Sequence, residues 1–384
     1  MSARTAFFAL CFFCLPPAAH ADALDFALGK ALFDRIWTPA PASTDATDGL
    51  GPHFDARSCA ACHKGGGRGT IPGNGLVLRL GDSSGKPDPV YGRQFQTRAV
   101  QMLPPEGSLN RGPDGSVGPH APAMGPLAAQ TRAGGRFAPA LFGAGLLQRV
   151  PLHALISRAD PDDQDGDGVS GRINWVETDT GRVPGRFGWK AGQPTLRSQS
   201  AIALHLDVGL SNPLHPDPFG DCTDQQSGCR AAPHGASSRF DNLEVSETML
   251  ELIVTYVAGL PPPPPSVDAD GLALFEHTGC AACHAPALPL DDGTMIAPFT
   301  DLLLHDMGDG LADGIGEHSA TGREWRTPPL WGLGDAERFL HDGRARTIDE
   351  AVSHHDGEAA KARQTYQSLS GTDRARLLQF LQSL

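Results

Sequence analysis

Two five-residue segments of the chain carry side chains whose types and spacing could do redox chemistry. Both read Cys-Ala-Ala-Cys-His, and they comprise Cys59, Cys62, His63, Cys280, Cys283 and His284. This spacing is the attachment pattern of c-type haem. Two thiols three positions apart on a tight turn reach the two vinyl groups of one porphyrin, and the imidazole that follows becomes the proximal ligand of its iron. We therefore predict two covalently bound haems.

Other uses of paired cysteines fit these segments less well. Structural zinc sites place two Cys-x-x-Cys knuckles about 15–20 residues apart, whereas these segments lie in opposite halves of the chain. A thioredoxin-like dithiol needs a surrounding βαβ pattern, which this sequence lacks. Haem attachment is the favoured interpretation of both segments.

The first 21 residues have the features of an export signal. Arg4 supplies the positive start, residues 7–15 form an apolar run too short to span a bilayer, and residues 19–21 (Ala-His-Ala) offer a small-x-small cleavage site. Two of the eight cysteines lie inside this segment and leave with it. No later stretch is long enough to cross a membrane. We expect a periplasmic protein without a membrane anchor.

A third pair of cysteines, Cys222 and Cys229, brackets a short polar loop. In an oxidising, exported setting such closely spaced cysteines are expected to form a disulfide. Two free thiols, or ligands for iron or copper, are the alternatives. No histidine-rich pattern beside them favours a metal.

Composition restricts the class of protein further. The net charge is −13 without basic blocks, which argues against nucleic acid or an anionic membrane surface as the main partner. Hydrophobic residues make up 40% of the 384-residue chain, which is too high a share for a disordered protein. Its 46 glycines and 33 prolines indicate many loops, which cofactors and cross-links must hold in place.

The elements around the two haem segments suggest two domains. Residues 29–33 match residues 271–275, so a short helix is expected before each segment. A polyproline spacer, residues 261–265, separates an N-terminal haem domain with large insertions, residues 22–260, from a compact C-terminal cytochrome c-like domain, residues 266–384. We predict a mainly α fold with two cytochrome c-like haem domains and long irregular loops.

Two helices are indicated by apolar periodicity. Residues 243–260 place Leu250, Ile253 and Val257 on one face, with the spacing typical of a buried helical stripe. The last helix is expected to begin at the capping residues 370–373 and to run to the end of the chain with one apolar side.

The sixth ligand of the C-terminal iron has several candidates. They are His305, Met307, His318, His341, His354 and His355. Residues 347–350 (Thr-Ile-Asp-Glu) form a capping box, and the helix that it starts places His355 on the core-facing stripe and His354 elsewhere. We favour His355, with Met307 as the runner-up because sulfur ligands are common in small cytochromes. His318 and His354 are assigned to the surface or to a haem propionate.

An acidic loop offers a candidate calcium site. Asp163, Asp165 and Asp167 provide carboxylates at alternate positions, and Gly168 permits a sharp turn, as calcium loops require. The twelfth position is Asn174 rather than glutamate, which predicts modest affinity. A solvated acidic turn is the alternative.

Longer motifs resemble the bacterial di-haem oxidoreductases, a family also labelled thiol oxidoreductases. The resemblance covers nearly the whole mature chain, and it is carried by residues 160–171, 186–191, 302–308, 324–332 and 340–345. More distantly, the chain is similar to di-haem cytochrome c peroxidases and methylamine-utilisation di-haem enzymes. The resemblance implies that one haem exchanges electrons, while the other has an open or displaceable sixth position and meets the oxidant or substrate.

The resemblance also implies roles for single residues. In the peroxidases a helix after a His-Asp-Gly motif brings a methionine to the C-terminal iron, and here His355 takes that place. Two histidine ligands give a lower potential than methionine and histidine, which departs from the peroxidases. Trp189 lies in a family motif and matches the tryptophan that serves the peroxidases as an electron bridge. Trp175 competes for this role, and packing in the core is the ordinary use of a tryptophan.

The distal side of the N-terminal haem is less determined. Peroxide cleavage needs a group that moves a proton between the two oxygens. Gln96 and Glu106 match the spacing of the glutamine and glutamate in the peroxidase pocket. Glu106 could instead be an exposed turn residue, and Met102 or His120 could occupy the sixth position of the iron.

Two function classes follow. The first is a periplasmic di-c-type-haem oxidoreductase, peroxidase-like, with the C-terminal haem for electron transfer and the N-terminal haem as the reactive site. It would exchange electrons with a small redox protein or another donor or acceptor. The second is a pure electron-transfer cytochrome with both irons six-coordinate. The enzyme is favoured, because residues 22–260 exceed what one haem of a carrier needs.

Overall fold

The computed structural model describes residues 23–44, 46–70, 75–264 and 268–384. The expected export signal lies outside the described residues, as do the last residue of the polyproline spacer and the first two residues of the C-terminal domain. Of the described residues, 29% are helical and 16% are in strands. The prediction of a mainly α fold is therefore wrong. Small antiparallel hairpins order much of the chain between the helices.

The described helices are short, and none exceeds 12 residues. The α-helices are α1 (Ala23–Asp34), α2 (Cys59–Cys62), α3 (Ala144–Gln148), α4 (Leu152–Ile156), α5 (Leu196–Ala203), α6 (Ser227–Arg230), α7 (Glu247–Ala258), α8 (Ala269–His277), α9 (Ile348–Ser353), α10 (Ala360–Ser368) and α11 (Gly371–Gln382). Single helical turns of other types comprise Lys64–Gly66, Leu204–Val208, Ser238–Phe240, Cys280–Ala282 and Gly357–Ala359. No described helix combines the length and apolar character needed to span a bilayer.

The strands form small sheets that are antiparallel throughout the described residues. They are β1 (His53–Phe54), β2 (Leu76–Gly81), β3 (Gln94–Phe95), β4 (Arg98–Ala99), β5 (Ser108–Arg111), β6 (Val117–His120), β7 (Arg132–Phe137), β8 (Trp175–Thr178), β9 (Gly181–Pro184), β10 (Leu288–Pro289), β11 (Met295–Ile296), β12 (Leu304–Asp306) and β13 (Glu324–Arg326). The one three-stranded sheet among them has the order β3-β2-β7. Its strand β7 ends at Phe137, whose carbonyl oxygen accepts a hydrogen bond from the Trp189 side chain.

In the N-terminal part, α1 packs against α7. The approach is close because α1 carries Gly29, where a Cβ would lie 2.0 Å from the carbonyl oxygen of Leu252. Phe26 and Phe33 of α1 each place a ring 5.0 Å from that of Tyr256. The helix expected over residues 243–260 is thus observed as α7. It begins later than predicted because the side chain of Ser246 caps it.

In the C-terminal part, α8 and α11 pack through three aromatic rings. Phe275, Phe299 and Phe380 meet pairwise with centroids 5.6–5.8 Å apart. Ser370 caps α11 as predicted. This aromatic cluster supports α8, which leads directly into the second Cys-Ala-Ala-Cys-His segment.

Candidate functional site

The N-terminal segment forms the short helix α2. The hydroxyl of Ser58 caps it by accepting a hydrogen bond from the Ala61 amide at 3.1 Å. His63 ends the turn, and its Nδ1 lies 2.9 Å from the carbonyl oxygen of Pro139. Since only a protonated Nδ1 can donate to that carbonyl, Nε2 keeps its lone pair for a metal. Burial lowers the pKa of His63, which keeps the imidazole neutral and able to bind iron.

The C-terminal segment repeats this arrangement on a different turn. Gly279 ends α8 with φ +89°, a left-handed conformation that favours glycine, and a single helical turn over Cys280–Ala282 follows. Nδ1 of His284 lies 2.9 Å from the carbonyl oxygen of Phe299. Burial lowers the pKa of His284 to about 4. Both proximal imidazoles are therefore neutral and held in the tautomer that presents Nε2.

A cavity of about 350 Å³ adjoins the C-terminal segment, and we call it the C-terminal cavity. Its lining includes Cys280, Cys283, His284 and His355. Cys59, Cys62, Cys280 and Cys283 are all unpaired and partly accessible. Two thiols and a neutral imidazole at the wall of an apolar cavity are the donor set that a haem requires. The residues present therefore fit this group.

The structure places His355 in this cavity and His354 at the surface, as the helical-face argument expects. Nδ1 of His355 lies 2.7 Å from the carbonyl oxygen of Ala351, which leaves Nε2 free. His355 opposes the protonation of His284, so the two imidazoles lie near each other. His318 is exposed and contacts the carbonyl oxygen of Gly192 at 3.1 Å.

The other candidate ligands of the C-terminal iron differ in availability. Met307 lines the cavity and remains open as an alternative. His305 has both ring nitrogens engaged, with Asp301 and Glu358 each at 2.8 Å. Burial alone would lower the pKa of His305, but Asp301 and its other partners hold it well above the ordinary value. An imidazolium that donates a hydrogen bond from each ring nitrogen has no lone pair to offer a metal.

His341 is held by a neighbouring aromatic ring. It also lines the C-terminal cavity, where its ring stacks on Trp325 with centroids 3.7 Å apart. Nζ of Lys190 lies 4.0 Å from the centre of the same indole ring. Burial, with Arg136 and other cations nearby, lowers the pKa of His341 well below its ordinary value. No local pattern in the sequence marks this stack, because its residues lie far apart along the chain.

Trp189 lies between the two haem segments. It lines the C-terminal cavity, and its Nε1 donates to the carbonyl oxygen of Phe137 at 2.8 Å. Two residues further along, the carbonyl of Pro139 holds His63. One short backbone segment therefore joins the indole to the proximal imidazole of the N-terminal site. Trp175 instead lies on β8 beside Arg182, away from the residues that line this cavity.

Gln96 and Glu106 lie together, as their spacing in the sequence suggests. Glu106 is 2% exposed, so it is not the exposed turn residue of the alternative interpretation. Its carboxyl accepts hydrogen bonds from the backbone amide of Gln96 at 2.6 Å and from the side-chain amide of Gln226. Nδ1 of His53 lies 3.6 Å from it. Burial raises the pKa of Glu106 to about 8, so this group is a neutral acid at pH 7.

A second cavity, of about 290 Å³, lies beside Cys62, and we call it the N-terminal cavity. Its lining comprises Asp55, Cys62, Gly75, Leu76, Val77, Thr97, Arg98, Ser108 and Leu109. Gln96 and Glu106 are not among these residues. Met102 is 90% exposed, His120 is also exposed, and neither is among the residues that line this cavity.

Asp55 is a functional candidate that the sequence analysis missed. It is buried, and it accepts hydrogen bonds from the backbone amide of Thr97 at 3.1 Å and from the Thr97 hydroxyl at 2.8 Å. Burial raises the pKa of Asp55 to about 6. The amides of Gln96 and Thr97, successive in the chain, therefore hold Glu106 and Asp55. Only its position shortly before Cys59 could have marked Asp55 in the sequence.

Cys222 and Cys229 are joined by a disulfide, with Cα atoms 6.1 Å apart. Sγ of Cys229 lies 3.5 Å from Nδ1 of His53. The bridged loop carries Gln226, which bonds the Glu106 carboxyl. The disulfide thus fixes the segment that surrounds this acid.

The acidic loop forms a compact turn rather than a complete twelve-residue calcium loop. Ligand oxygens of Asp160, Asp163 and Asp165 lie within 4.8 Å of one another. Asp167 is not in this group, and its Oδ1 accepts from the Val169 amide at 2.8 Å. Asn174 is buried away from the turn, where its side chain donates to a backbone carbonyl at 2.7 Å.

The model of the family described as "Di-haem oxidoreductase, putative peroxidase" matches residues 126–384. No curated protein sequence matches the chain. The diheme peroxidase BthA from Burkholderia thailandensis is 15% identical, with 94% of this chain and 86% of that chain covered and a TM-score of 0.42. The hydrazine synthase of Kuenenia stuttgartiensis is 15% identical, with 100% of both chains covered and a TM-score of 0.36. Because the family model spans most of the chain, including the second haem segment, this protein belongs to the di-haem oxidoreductases and is a haem enzyme.

Proposed function

We propose that this protein is a periplasmic, peroxidase-like oxidoreductase with two c-type haems, in which the N-terminal haem is the reactive site and the C-terminal haem transfers electrons. The observation that carries the proposal is the difference between the two cavities. His355, with a free Nε2, lies in the C-terminal cavity with His284. Among the described residues that line the N-terminal cavity there is no histidine or methionine, and Asp55 is present instead.

Covalent attachment is supported by the four unpaired thiols. Cys59 and Cys62 would bind one haem through thioethers, and Cys280 and Cys283 the other. Burial raises the pKa of the Cys59 thiol to about 12, so without haem it stays protonated and unreactive. When bound, each haem supplies an iron that changes its charge by one electron, and the N-terminal one also supplies a free coordination position.

The reaction that fits these groups is the reduction of a peroxide. Hydrogen peroxide takes up two electrons and two protons and gives two molecules of water. Asp55, which is largely ionised at neutral pH, accepts the proton of the incoming oxygen and returns it to the leaving oxygen. Glu106, whose pKa is about 8, is protonated at neutral pH and can supply a further proton to Asp55. Gln96 keeps Glu106 in place through its backbone amide.

Electrons enter at the C-terminal haem from a small redox protein and pass to the N-terminal site. Trp189 is the proposed bridge, because it lines one cavity and bonds the backbone segment that holds His63. A periplasmic location agrees with the export signal expected in residues 1–21 and with the disulfide between Cys222 and Cys229.

Electron paramagnetic resonance of the purified ferric protein tests this proposal against the pure electron carrier. We expect one high-spin signal from the N-terminal haem, which changes when peroxide is added, and one low-spin signal from the C-terminal haem. Two low-spin signals that peroxide leaves unchanged would establish the carrier instead. Mass spectrometry of the denatured chain checks for two covalently retained haems.

We also propose that the acidic turn binds calcium through Asp160, Asp163 and Asp165, with modest affinity. Asp163→Asn is expected to abolish calcium binding in isothermal titration calorimetry. Asp162→Asn is the matched control, because Asp162 is an exposed carboxylate of the same turn that lies outside the cluster. Equal binding by both variants would contradict the site.

A further inference from the structure

Arg68 belongs to the N-terminal haem segment by sequence but lines the C-terminal cavity in space. It follows His63 in a glycine-rich turn, in which Gly66 has φ +80°. The turn is fixed to the segment after β7: the Leu141 amide donates to the Gly66 carbonyl at 2.9 Å, and the Gly69 amide donates to the Ala138 carbonyl at 3.0 Å. The guanidinium is thus carried from one haem segment to the other cavity by a well-anchored backbone.

The Arg68 guanidinium lacks adequate partners among the described residues. Its Nε is buried without a hydrogen bond, and its one polar contact among the described residues is long, 3.5 Å from Nη2 to the carbonyl oxygen of Pro329. It forms no ion pair with a described carboxylate. Burial lowers the pKa of Arg68 to about 10, so the group is still a cation at neutral pH. An uncompensated buried charge is costly, which indicates that an anion is missing from its surroundings.

Arg326 lines the same cavity, and it too forms no ion pair with a described carboxylate. It is 6% exposed, and its Nε and Nη1 donate to the backbone carbonyls of Gly188 and Thr327 at 2.9 and 3.1 Å. Burial, with the charge of Arg68 as a smaller contribution, lowers the pKa of Arg326 to about 10, so the two cations repel each other. The nearby carboxylate, Asp301, is already bonded to His305. Two like charges in one cavity can both be stabilised by an anion that lies between them.

We propose that Arg68 and Arg326 form a binding site for the propionate carboxylates of the C-terminal haem. This inference rests on the proposed function, because it requires a haem in the C-terminal cavity. A haem carries two propionates, and the planar guanidinium is the side chain best suited to bind a carboxylate through two hydrogen bonds. Arg68 then ties the attachment segment of one haem to the acidic edge of the other.

Such a contact has a measurable consequence for the reduction potential. A cation beside the propionates offsets their negative charge and so favours the reduced, less positive iron. Removing it should lower the potential of the C-terminal haem. The potential of the N-terminal haem should change much less, although Arg68 lies close to that haem in the sequence.

The test is a spectroelectrochemical titration of the full-length haem-loaded protein. In Arg68→Gln we expect the reduction equilibrium of the C-terminal haem to fall at least tenfold, which is about 59 mV for one electron. Arg68→Lys keeps the positive charge, so its C-terminal haem should have a reduction potential close to that of the wild type. The double variant Cys280→Ala/Cys283→Ala retains only the N-terminal haem and so identifies its step in the titration.

Arg186→Gln is the matched control. Arg186 is a buried guanidinium whose side chain contacts the carbonyl oxygen of Leu147 at 3.5 Å, and it does not line the C-terminal cavity. An equal shift in Arg186→Gln and Arg68→Gln, or no shift in Arg68→Gln, overturns the propionate site. If Arg68→Gln loses haem, Arg326→Gln takes its place, because it removes the other cation of the proposed site: a potential lower than that of Arg186→Gln is expected, and an equal one overturns the site. A wild-type protein without a second covalent haem contradicts the proposed function itself.

Discussion

The N-terminal and C-terminal haem segments hold their histidines in the same way but face different surroundings. In both, a backbone carbonyl fixes Nδ1 at 2.9 Å and burial keeps the imidazole neutral. Opposite the C-terminal segment stands a second imidazole, His355, whereas the N-terminal cavity presents the carboxylate of Asp55. Identical local sequences are therefore set in different surroundings, because the residues that face each segment come from distant parts of the chain.

The two regions also differ in how charge is compensated. Around the N-terminal cavity, burial raises the pKa values of Asp55 and Glu106 to about 6 and about 8, so at neutral pH Glu106 holds a proton while Asp55 is largely ionised. The C-terminal cavity holds two cations without carboxylate partners, Arg68 and Arg326. The first arrangement suits proton transfer, and the second suits the binding of the negatively charged propionates of a haem.

The largest expected effect comes from removing the distal imidazole of the C-terminal region. In His355→Ala the low-spin ferric signal of the C-terminal haem should convert completely to a high-spin one, because the iron loses its sixth ligand. His354→Ala is the control, since His354 is exposed. Electron paramagnetic resonance gives the result, and a low-spin signal that survives in His355→Ala would transfer the ligand role to Met307.

The next effect concerns the carboxylate of the N-terminal cavity. Asp55→Asn should lower kcat/KM for peroxide by about 10²-fold, the usual size of a proton-transfer contribution. In the wild type this activity should rise as pH increases through about 6, because the carboxylate form accepts the proton. Stopped-flow kinetics measures both. A larger loss in Glu106→Gln than in Asp55→Asn would assign the proton transfer to Glu106, as the spacing in the sequence suggests.

The third prediction concerns how the buried acid Glu106 makes the free energy of unfolding depend on pH. The pKa of Glu106 is about 8 in the folded protein and near 4.5 when unfolded. Folding therefore favours the protonated form, and stability falls as pH rises from about 5 through 8. Glu106→Gln should remove this pH dependence, which amounts to about 5 kcal/mol for a pKa raised from 4.5 to about 8. Chemical denaturation at several pH values checks it, and parallel curves for both proteins would mean that Glu106 is ionised in the fold.

The smallest effect probes the link between the regions. Trp189→Phe should lower the free energy of unfolding by about 1 kcal/mol through loss of the bond to Phe137. It should also slow electron transfer between the haems after rapid reduction, which flash photolysis can follow. Trp175→Phe should leave that rate unchanged. If both variants transfer electrons at the wild-type rate, Trp189 only packs between the regions.

Much of the fold could not be predicted from the sequence. The prediction of a mainly α fold was wrong because the hairpins around residues 76–137 and 304–326 depend on pairing between separated strands, which propensity does not reveal. The helices α7 and α11 were predicted with their approximate bounds, since a capping residue and an apolar stripe are local signals. The domain boundaries remain predictions.

The sequence by itself determined the haem segments, the distal candidate His355 and membership of the family, because attachment and helical faces depend on short spacings along the chain. Only the tertiary structure decided which carboxylate reaches the N-terminal cavity, which histidines are already engaged, and where Arg68 points. The physical reason is that burial and charge pairing arise between residues far apart in the chain. A local pattern shows which groups could react, and the surroundings that the fold assembles decide which of them do.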